Sequence, residues 1–467
     1  MAPAARKFAE FALGLRYEDI PEDVRQAAKL HLLDTLGCGI AAVAVGVAGE
    51  GKAVMLELGG EGPSTVIGHD AGMSAANAAF ANAMTCHGLD FDDTHSDSIS
   101  HVSTVVCPAS IAVAEAVGAS GTELLTAIVV GNEVVTRVGM AAPSQFHARG
   151  FHPTAICGIF GAVAACARLQ GLDAETTTRA LGIAGSFASG IFAYLAEGTR
   201  RSRCTRPGRH GAVLATRLAA HGAVGPGSVL EGKFGLYHAF VGAEPGSIDI
   251  AAQCDDLGSR WETPRIAYKP YPACHYMHGA LGAAREAVAG RTFSADEIDE
   301  ILVTVHPAGV PLVLEPEEAK KTPRSEYEGK FSLQYSAASL LVRGHVGVVD
   351  YLEDAIGEQR VLDVAQKVRY EAKDYETYPQ AFPGGARITL ADGTVLEADL
   401  AYQKGGPENP LTADEVKAKY RGNALLGLAA ADADAIEQAC MAIESVTDVT
   451  AAFAPLANAT AREHVAA

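Results

Sequence analysis

Apolar runs rich in alanine and glycine dominate the first half of the chain, and they limit its fold more than any other feature. After Pro21, which suits a helix start, Val24, Ala28 and Leu32 recur on one face at helical spacing. Similar runs follow at residues 75–86, 108–117, 124–140, 160–169 and 212–221. Alanine favours helix, and small side chains let helices approach closely. Residues 21–222 are therefore predicted to form successive helices.

Past the middle of the chain the pattern changes to segments typical of strands. Ile301 and Val303 lie on one face of an alternating run. Asp392-Gly393 stands between two further alternating runs, which is the sequence signal of a hairpin. Residues 331–342, which lie between these features, are compatible with a helix. This section is predicted to be a small α+β unit.

The pattern becomes helical again near the end of the chain. Thr412 is placed to cap a helix, and Glu415 follows three residues later, as in a capping box. The fold is therefore predicted to be mainly α. A large all-helical domain combines residues 1–268 with 405–467, and residues 269–404 form an inserted, smaller α+β domain.

The composition excludes several classes of partner. Acidic residues number 56 and basic residues 37, so the net charge is −19, which argues against nucleic acid and anionic membranes. Nine cysteines without CxxC spacing indicate a reduced, cytoplasmic protein. Gly37-Cys-Gly39 breaks the first apolar run, and no transmembrane helix is expected.

The densest polar cluster lies between two apolar helical runs, at residues 87–101. It contains His87, Asp90, Asp92, Asp93, His95, Asp97 and His101. A solvated acidic loop is one interpretation, yet histidine titrates near neutrality and suits proton transfer. No HxH or HExxH spacing occurs, so acid–base chemistry is favoured over a metal site.

Two further segments could hold an anionic substrate. The first, at the proposed domain junction, carries Lys269, Cys274, His275 and His278. Clefts tend to form at such junctions, and the alternative is a proline-rich linker that faces water. The second carries five arginines within residues 200–209, Arg203 among them, which indicates an anion site or an exposed interface.

Together these segments resemble the MmgE/PrpD family, in matching order along nearly the whole chain. The motifs are LDTLGCGIAA, GLDFDDTHSDSISH, GFHPTAICGIFGA, GPGSVLEGKFGLY, KPYPACHYMH, GKFSLQYSAA and YQKGGPENPLT. The LDFDDTH motif and the KPYP motif with its histidine are the most specific. The resemblance implies a helical domain with an inserted α+β lid, pairing as a homodimer, and no metal or organic cofactor.

The activities of this family share one chemical step. They include 2-methylcitrate dehydration, cis-aconitate decarboxylation and iminodisuccinate epimerisation. Each makes or quenches a carbanion beside a carboxylate, which requires an acid, a base and cations that hold the developing charge. The resemblance therefore implies a small polycarboxylate as substrate.

The resemblance also implies roles for individual residues. His101 is expected to be the principal proton donor or acceptor, and Asp90, His278 and Lys269 complete the catalytic group. The residues expected to contact substrate are Thr94, Asp93, His152, Arg203, Cys274 and His275.

Three positions depart from the family pattern and leave the reaction open. Arg203 replaces a lysine, Cys274 replaces a histidine of animal-type decarboxylases, and Gly406 replaces a histidine. The leading interpretation is a lyase that removes water, or secondly CO₂, from a citrate-like acid. One alternative is an epimerase of an iminodisuccinate-like dicarboxylate. The other is a noncatalytic carboxylate-binding protein.

Overall fold

The computed structural model describes residues 2–193 and 208–462, which divide into two compact units. The first unit contains the described residues before 194, residues 208–266 and residues 412–462. The second unit contains residues 267–411. The first is largely helical, and the second combines helices with a four-stranded sheet. The prediction of a mainly α chain with an inserted α+β part is confirmed.

Helices build the first unit. In chain order they are α1 (Ala4–Gly14), α2 (Glu22–Ala44), α3 (Gly49–Leu58), α4 (Ala75–Gly88), α5 (Ser103–Val117), α6 (Gly121–Met140), α7 (Gln145–Ala148), α8 (Pro153–Leu169), α9 (Ala174–Ala184) and α10 (Gly208–Ala220). A short antiparallel hairpin of β1 (Glu61–Val66) and β2 (His69–Met73), which the sequence pattern does not predict, precedes α4.

The second unit contains short helices and strands. Its elements are α11 (His278–Ala287), β3 (Ile298–Val305), α12 (Val310–Val313), α13 (Glu317–Lys321), α14 (Glu326–Lys330), α15 (Leu333–Arg343), α16 (Glu353–Ile356), α17 (Gln359–Gln366), β4 (Val368–Ala372), β5 (Gly384–Leu390) and β6 (Val395–Leu400). The helix predicted near residues 331–342 corresponds to α15.

The sheet has the order β4-β3-β5-β6. The β3–β5 and β5–β6 pairs are antiparallel, and the predicted hairpin is present, with Gly393 at a φ of 85° in its turn. Ile301 and Val303 are fully buried, as their alternation predicts. β4 pairs parallel to β3 and is not predicted, because Val368 is its only buried residue and it lacks an apolar alternation.

The end of the chain returns to the first unit as α18 (Ala413–Ala424), α19 (Ala430–Met441) and α20 (Val449–Phe453). Thr412 and Glu415 form the predicted capping box at the start of α18. Two backbone amides that have no partner within the helix are thereby hydrogen-bonded, which fixes where the helix begins.

The Gly37-Cys-Gly39 segment, which interrupts the apolar run, does not end the helix, because α2 continues through it to Ala44. A Cβ on Gly37 would lie 3.0 Å from the Tyr420 ring of α18, so the missing side chain allows the two helices to pack closely. By length and composition α2 could also cross a membrane, but 83% of its apolar window is buried inside the unit. It is the core helix on which the functional site is built.

Candidate active site

The polar cluster predicted from the sequence forms a loop between α4 and α5, here called the site loop (residues 89–102). His95 and Ser100 form an isolated antiparallel bridge within it, with N–O distances of 2.8 and 3.3 Å. Asp90 and Ile99 have φ values of 57° and 50°, which non-glycine residues rarely adopt. Such conformations persist only where surrounding contacts hold them, so the loop is firmly anchored.

At the centre of the site, the Asp92 carboxylate lies between two histidines. Its Oδ2 forms a hydrogen bond with Nδ1 of His87, at the end of α4, and lies 3.4 Å from Nδ1 of His101. The same His101 nitrogen is 3.4 Å from Oγ1 of Thr94. Asp92 is fully buried, whereas the His101 side chain keeps 16% of its surface exposed. A buried carboxylate beside imidazole favours the protonated ring and sets its tautomer.

A third histidine, His152, completes this cluster from α8. It is the N-terminal flanking residue of that helix, and its ring centre lies 6.0 Å from that of His101 and 6.1 Å from that of His87. The next turn also contacts the loop, since Oγ1 of Thr154 accepts a 2.9 Å hydrogen bond from the His101 backbone amide. The predicted residues Thr94, His101 and His152 therefore lie together.

One side of the site loop is held by buried charges from α2 and α18. Asp93 lies 2.9 Å from Nδ1 of His31 and accepts a 3.1 Å bond from the Ser103 amide. Burial alone would raise the pKa of Asp93, but these contacts hold it below its usual value. These contacts hold the site loop in position, and the substrate contact expected of Asp93 stays a prediction.

The Lys419 ammonium supplies the cation on this side. It lies 2.8 Å from the Asp34 carboxylate of α2 and donates a 2.8 Å hydrogen bond to the backbone oxygen of Phe91. Burial lowers the pKa of Lys419, but the Asp34 carboxylate outweighs that effect and the pKa stays above its usual value. A charged ammonium thus fixes the backbone immediately before Asp92.

The other side of the loop is held by His95. Its Nε2 lies 3.3 Å from the buried carboxylate of Glu262, which also pairs with Arg260 at 3.0 Å. The Glu262 backbone amide in turn donates a 2.9 Å hydrogen bond to Glu133 of α6. Burial would raise the pKa of Glu262, but His95 and Arg260 hold it below its usual value. His95 is therefore a structural histidine of the loop.

The remaining predicted residues belong to the second unit or lie outside the described residues. Lys269 is buried, and the Cys274 amide donates a 2.9 Å bond to the Lys330 carbonyl.

The His275 ring stacks on Phe382 with centres 4.6 Å apart. His278 is fully buried, and its Nε2 lies 3.1 Å from the Ala273 carbonyl; its catalytic role stays a prediction. Arg203 lies outside the described residues.

Asp92 and His87 are central to this geometry but are not among the site residues predicted from the sequence. Asp90, Asp92 and Asp93 lie within four residues of one another, and the sequence alone does not tell which carboxylate meets a histidine. Asp90 is half-buried, and its left-handed backbone conformation turns the chain between His87 and Asp92. The sequence feature that could have identified His87 as a site residue is its position in the last turn of an apolar helix, directly before the loop.

His87, Asp92 and His101 are also ligand types that a divalent cation could use. Their ligand atoms lie within 4.8 Å of one another, and no second group of this kind occurs within residues 2–193 and 208–462. However, Nδ1 of His87 and Oδ2 of Asp92 are already bonded to each other. The cluster is therefore interpreted as a hydrogen-bonded acid–base group, and the absence of a metal requirement stays a prediction.

Family models match both parts of the chain. The MmgE/PrpD N-terminal domain matches residues 6–248, and the MmgE/PrpD C-terminal domain matches residues 271–443. The chain belongs to the MmgE/PrpD family.

Individual relatives match over almost their whole lengths. A cis-aconitate decarboxylase-like protein of Aspergillus oryzae, oryM, is 28% identical over 93% of both chains. The cis-aconitate decarboxylase of Mus musculus is 28% identical over 95% of this chain and 90% of its own. That of Homo sapiens is 29% identical over 89% of this chain and 87% of its own.

Proposed function

We propose that the protein is a lyase that removes CO₂ from a small citrate-like tricarboxylate of the cis-aconitate type, with His101 as the proton-transfer group. The observation that carries this proposal is the partly exposed His101 ring beside the buried Asp92 carboxylate. This pairing leaves the opposite edge of the ring, with Nε2, directed away from Asp92. A histidine held in this way is suited to exchange a proton near neutral pH.

The relatives support loss of CO₂ over loss of water. Three of the similar chains carry names of cis-aconitate decarboxylases or a protein like them, and they align from end to end. The sequence motifs alone favour dehydration first, so the comparisons reverse that order. Dehydration of a citrate-like acid remains the second candidate, since it uses the same carbanion chemistry.

The proposed decarboxylation needs one proton donor, His101. The bond between carbon and the leaving carboxylate breaks, CO₂ departs, and the electron pair stays on the carbon conjugated with the remaining carboxylates. Nε2–H of His101 then donates its proton to that carbanion, and the ring regains a proton from solvent. Positioned proton transfer of this kind contributes roughly 10²–10⁴-fold to the rate.

The substrate's carboxylates need cations, and the proposal assigns them from the family pattern. Lys269, which is buried, is proposed on the resemblance to bind one carboxylate. Arg203 would bind another, because a guanidinium stays charged and matches a carboxylate in a bidentate way but does not readily carry protons. Asp90, Asp93, Cys274, His275 and His278 remain proposed site residues on the resemblance alone.

A substrate screen in D₂O tests the proposal. Cis-aconitate, citrate, 2-methylcitrate and iminodisuccinate are each incubated with the enzyme and followed by ¹H and ¹³C NMR. We expect the tricarboxylate of cis-aconitate to lose CO₂ and its product to carry one deuterium. His101→Gln should lower the turnover number by about 10³-fold, whereas the exposed His221→Gln should leave it unchanged.

Other outcomes identify the alternatives. Loss of water from citrate or 2-methylcitrate without CO₂ release would replace decarboxylation by dehydration. Exchange of the α-proton of iminodisuccinate without net product would indicate an epimerase. Calorimetric binding of a polycarboxylate without any turnover would indicate a noncatalytic binding protein.

A further inference from the structure

We propose that Asp92 is a positioning residue shared by two histidines, and that His87 is the second partner that keeps the carboxylate oriented toward His101. The catalytic importance of His101 rests on the proposed function above. The arrangement of the three side chains does not rest on it, because it follows from their contacts alone. Neither His87 nor Asp92 is among the residues that the family resemblance implies.

The geometry places one carboxylate oxygen against two equivalent ring nitrogens. Oδ2 of Asp92 is bonded to Nδ1 of His87 and lies 3.4 Å from Nδ1 of His101. The two rings meet edge to face, with their centres 4.9 Å apart. An ionised carboxylate only accepts hydrogen bonds, so the proposal assigns Nδ1–H to both rings. Asp92 therefore selects the Nδ1–H form of each ring and leaves Nε2 as the nitrogen that exchanges protons.

The two contacts have different functions because their lengths differ. The bond to His87 is direct, so His87 sets the rotation of the Asp92 carboxylate. The 3.4 Å approach to His101 is longer than an ordinary hydrogen bond, which lets this ring move slightly as it gains or gives a proton. Thr94, 3.4 Å from the same nitrogen, limits that movement.

The charge surroundings of His101 come from three elements. His87 faces it from α4, Asp92 and Thr94 from the site loop, and His152 from the start of α8. Asp93, the next carboxylate along the chain, is paired with His31. Asp92 is thus an anion in direct contact with His101. Its removal lowers the affinity of the ring for a proton, since an opposite charge at this distance favours the protonated form.

The test measures the ring tautomers by NMR on the full chain labelled with ¹⁵N-histidine. Two-bond ¹H–¹⁵N correlations distinguish Nδ1–H from Nε2–H, and His101→Gln and His87→Gln assign the two signals among the 15 histidines. We expect both rings to be in the Nδ1–H form at high pH. In Asp92→Asn, we expect the titration midpoint of His101 to fall by about one pH unit or more.

Asp97→Asn is the matched control, because Asp97 is on the same loop but its side chain is 42% exposed. It should leave both tautomers and both midpoints unchanged. His87→Gln should weaken the Nδ1–H preference of His101 without removing the Asp92 charge. The proposal is overturned if His101 is in the Nε2–H form in the wild type, or if Asp92→Asn leaves its tautomer and midpoint as they were.

Turnover adds a second readout. With whichever polycarboxylate the wild type converts, Asp92→Asn should lower kcat by about 10²-fold with a smaller change in KM. The pH limb that His101 controls should move to lower pH. If no polycarboxylate is converted even by the wild type, the proposed function fails while the NMR result still decides the role of Asp92. Circular dichroism of each variant establishes that the helices are retained.

Discussion

At the scale of the residue, three consecutive acids of the site loop have three different environments. Asp92 lies between two histidines, Asp93 is paired with His31, and Asp90 occupies a left-handed turn. The sequence predicts that this segment carries the chemistry, and it correctly selects His101, Thr94 and His152 as neighbours. It does not separate the acids, because which carboxylate meets which ring depends on contacts with α2, α4 and α18, far away in the sequence.

The pairing of Asp93 predicts a pH-dependent stability. Its pKa is lowered in the folded protein, so its contribution is fully present above the unfolded value of about 4 and is lost as the pH falls through the folded value. Asp93→Asn should lower the free energy of unfolding at pH 7 by about 3 kcal/mol, because a buried partner is left unpaired. Urea unfolding between pH 3 and 7 measures this. The difference between wild type and variant should shrink below pH 4, and a difference that is constant with pH would contradict the pairing.

The site cluster also predicts the response to chelation. Because the members of this cluster are joined by hydrogen bonds, we expect proton transfer at His101 to proceed without a metal. Dialysis against EDTA should leave turnover unchanged, and elemental analysis should find less than a stoichiometric amount of zinc, manganese or iron in the active protein. Loss of activity that one of these ions restores would contradict this interpretation.

At the scale of the element, close helix packing positions the residues of the site. α8, which brings His152 and Thr154 to the loop, packs against α6 through glycines. A Cβ on Gly161 would lie 2.3 Å from the Gly131 backbone oxygen, so the two helices have no room for a larger residue there. The glycine-rich composition predicts such contacts in general, but not which glycine makes them.

Gly161→Ala tests this packing. The variant should be less stable by about 1–3 kcal/mol, because the two backbones must separate, and the shift of α8 should lower turnover as well. Gly422→Ala in α18 is the control, since no atom lies within 4 Å of its Cβ position. There alanine should be neutral or stabilising by up to about 1 kcal/mol. Equal effects of the two variants on the urea midpoint would refute the packing argument.

At the scale of the whole molecule, the order of helical and α+β sections along the chain can be predicted from the sequence. The change from helical to alternating periodicity, and back again at the Thr412 capping box, predicts a mainly α chain interrupted by an α+β section. The long-range pairing of β3 with β4 cannot be predicted from the sequence, because β4 lacks a clear alternation of apolar residues and its partner lies about 70 residues earlier. The lyase proposal likewise needs the comparisons, since periodicity and spacing describe a site but not its substrate.

The most direct measurement is the deuterium content of the product formed from cis-aconitate in D₂O, compared between the wild type and His101→Gln. Proton transfer from His101 predicts one deuterium per product molecule for the wild type and a rate about 10³-fold lower for the variant. A variant that forms the labelled product at the wild-type rate would show that another group transfers the proton and would contradict the central role of His101.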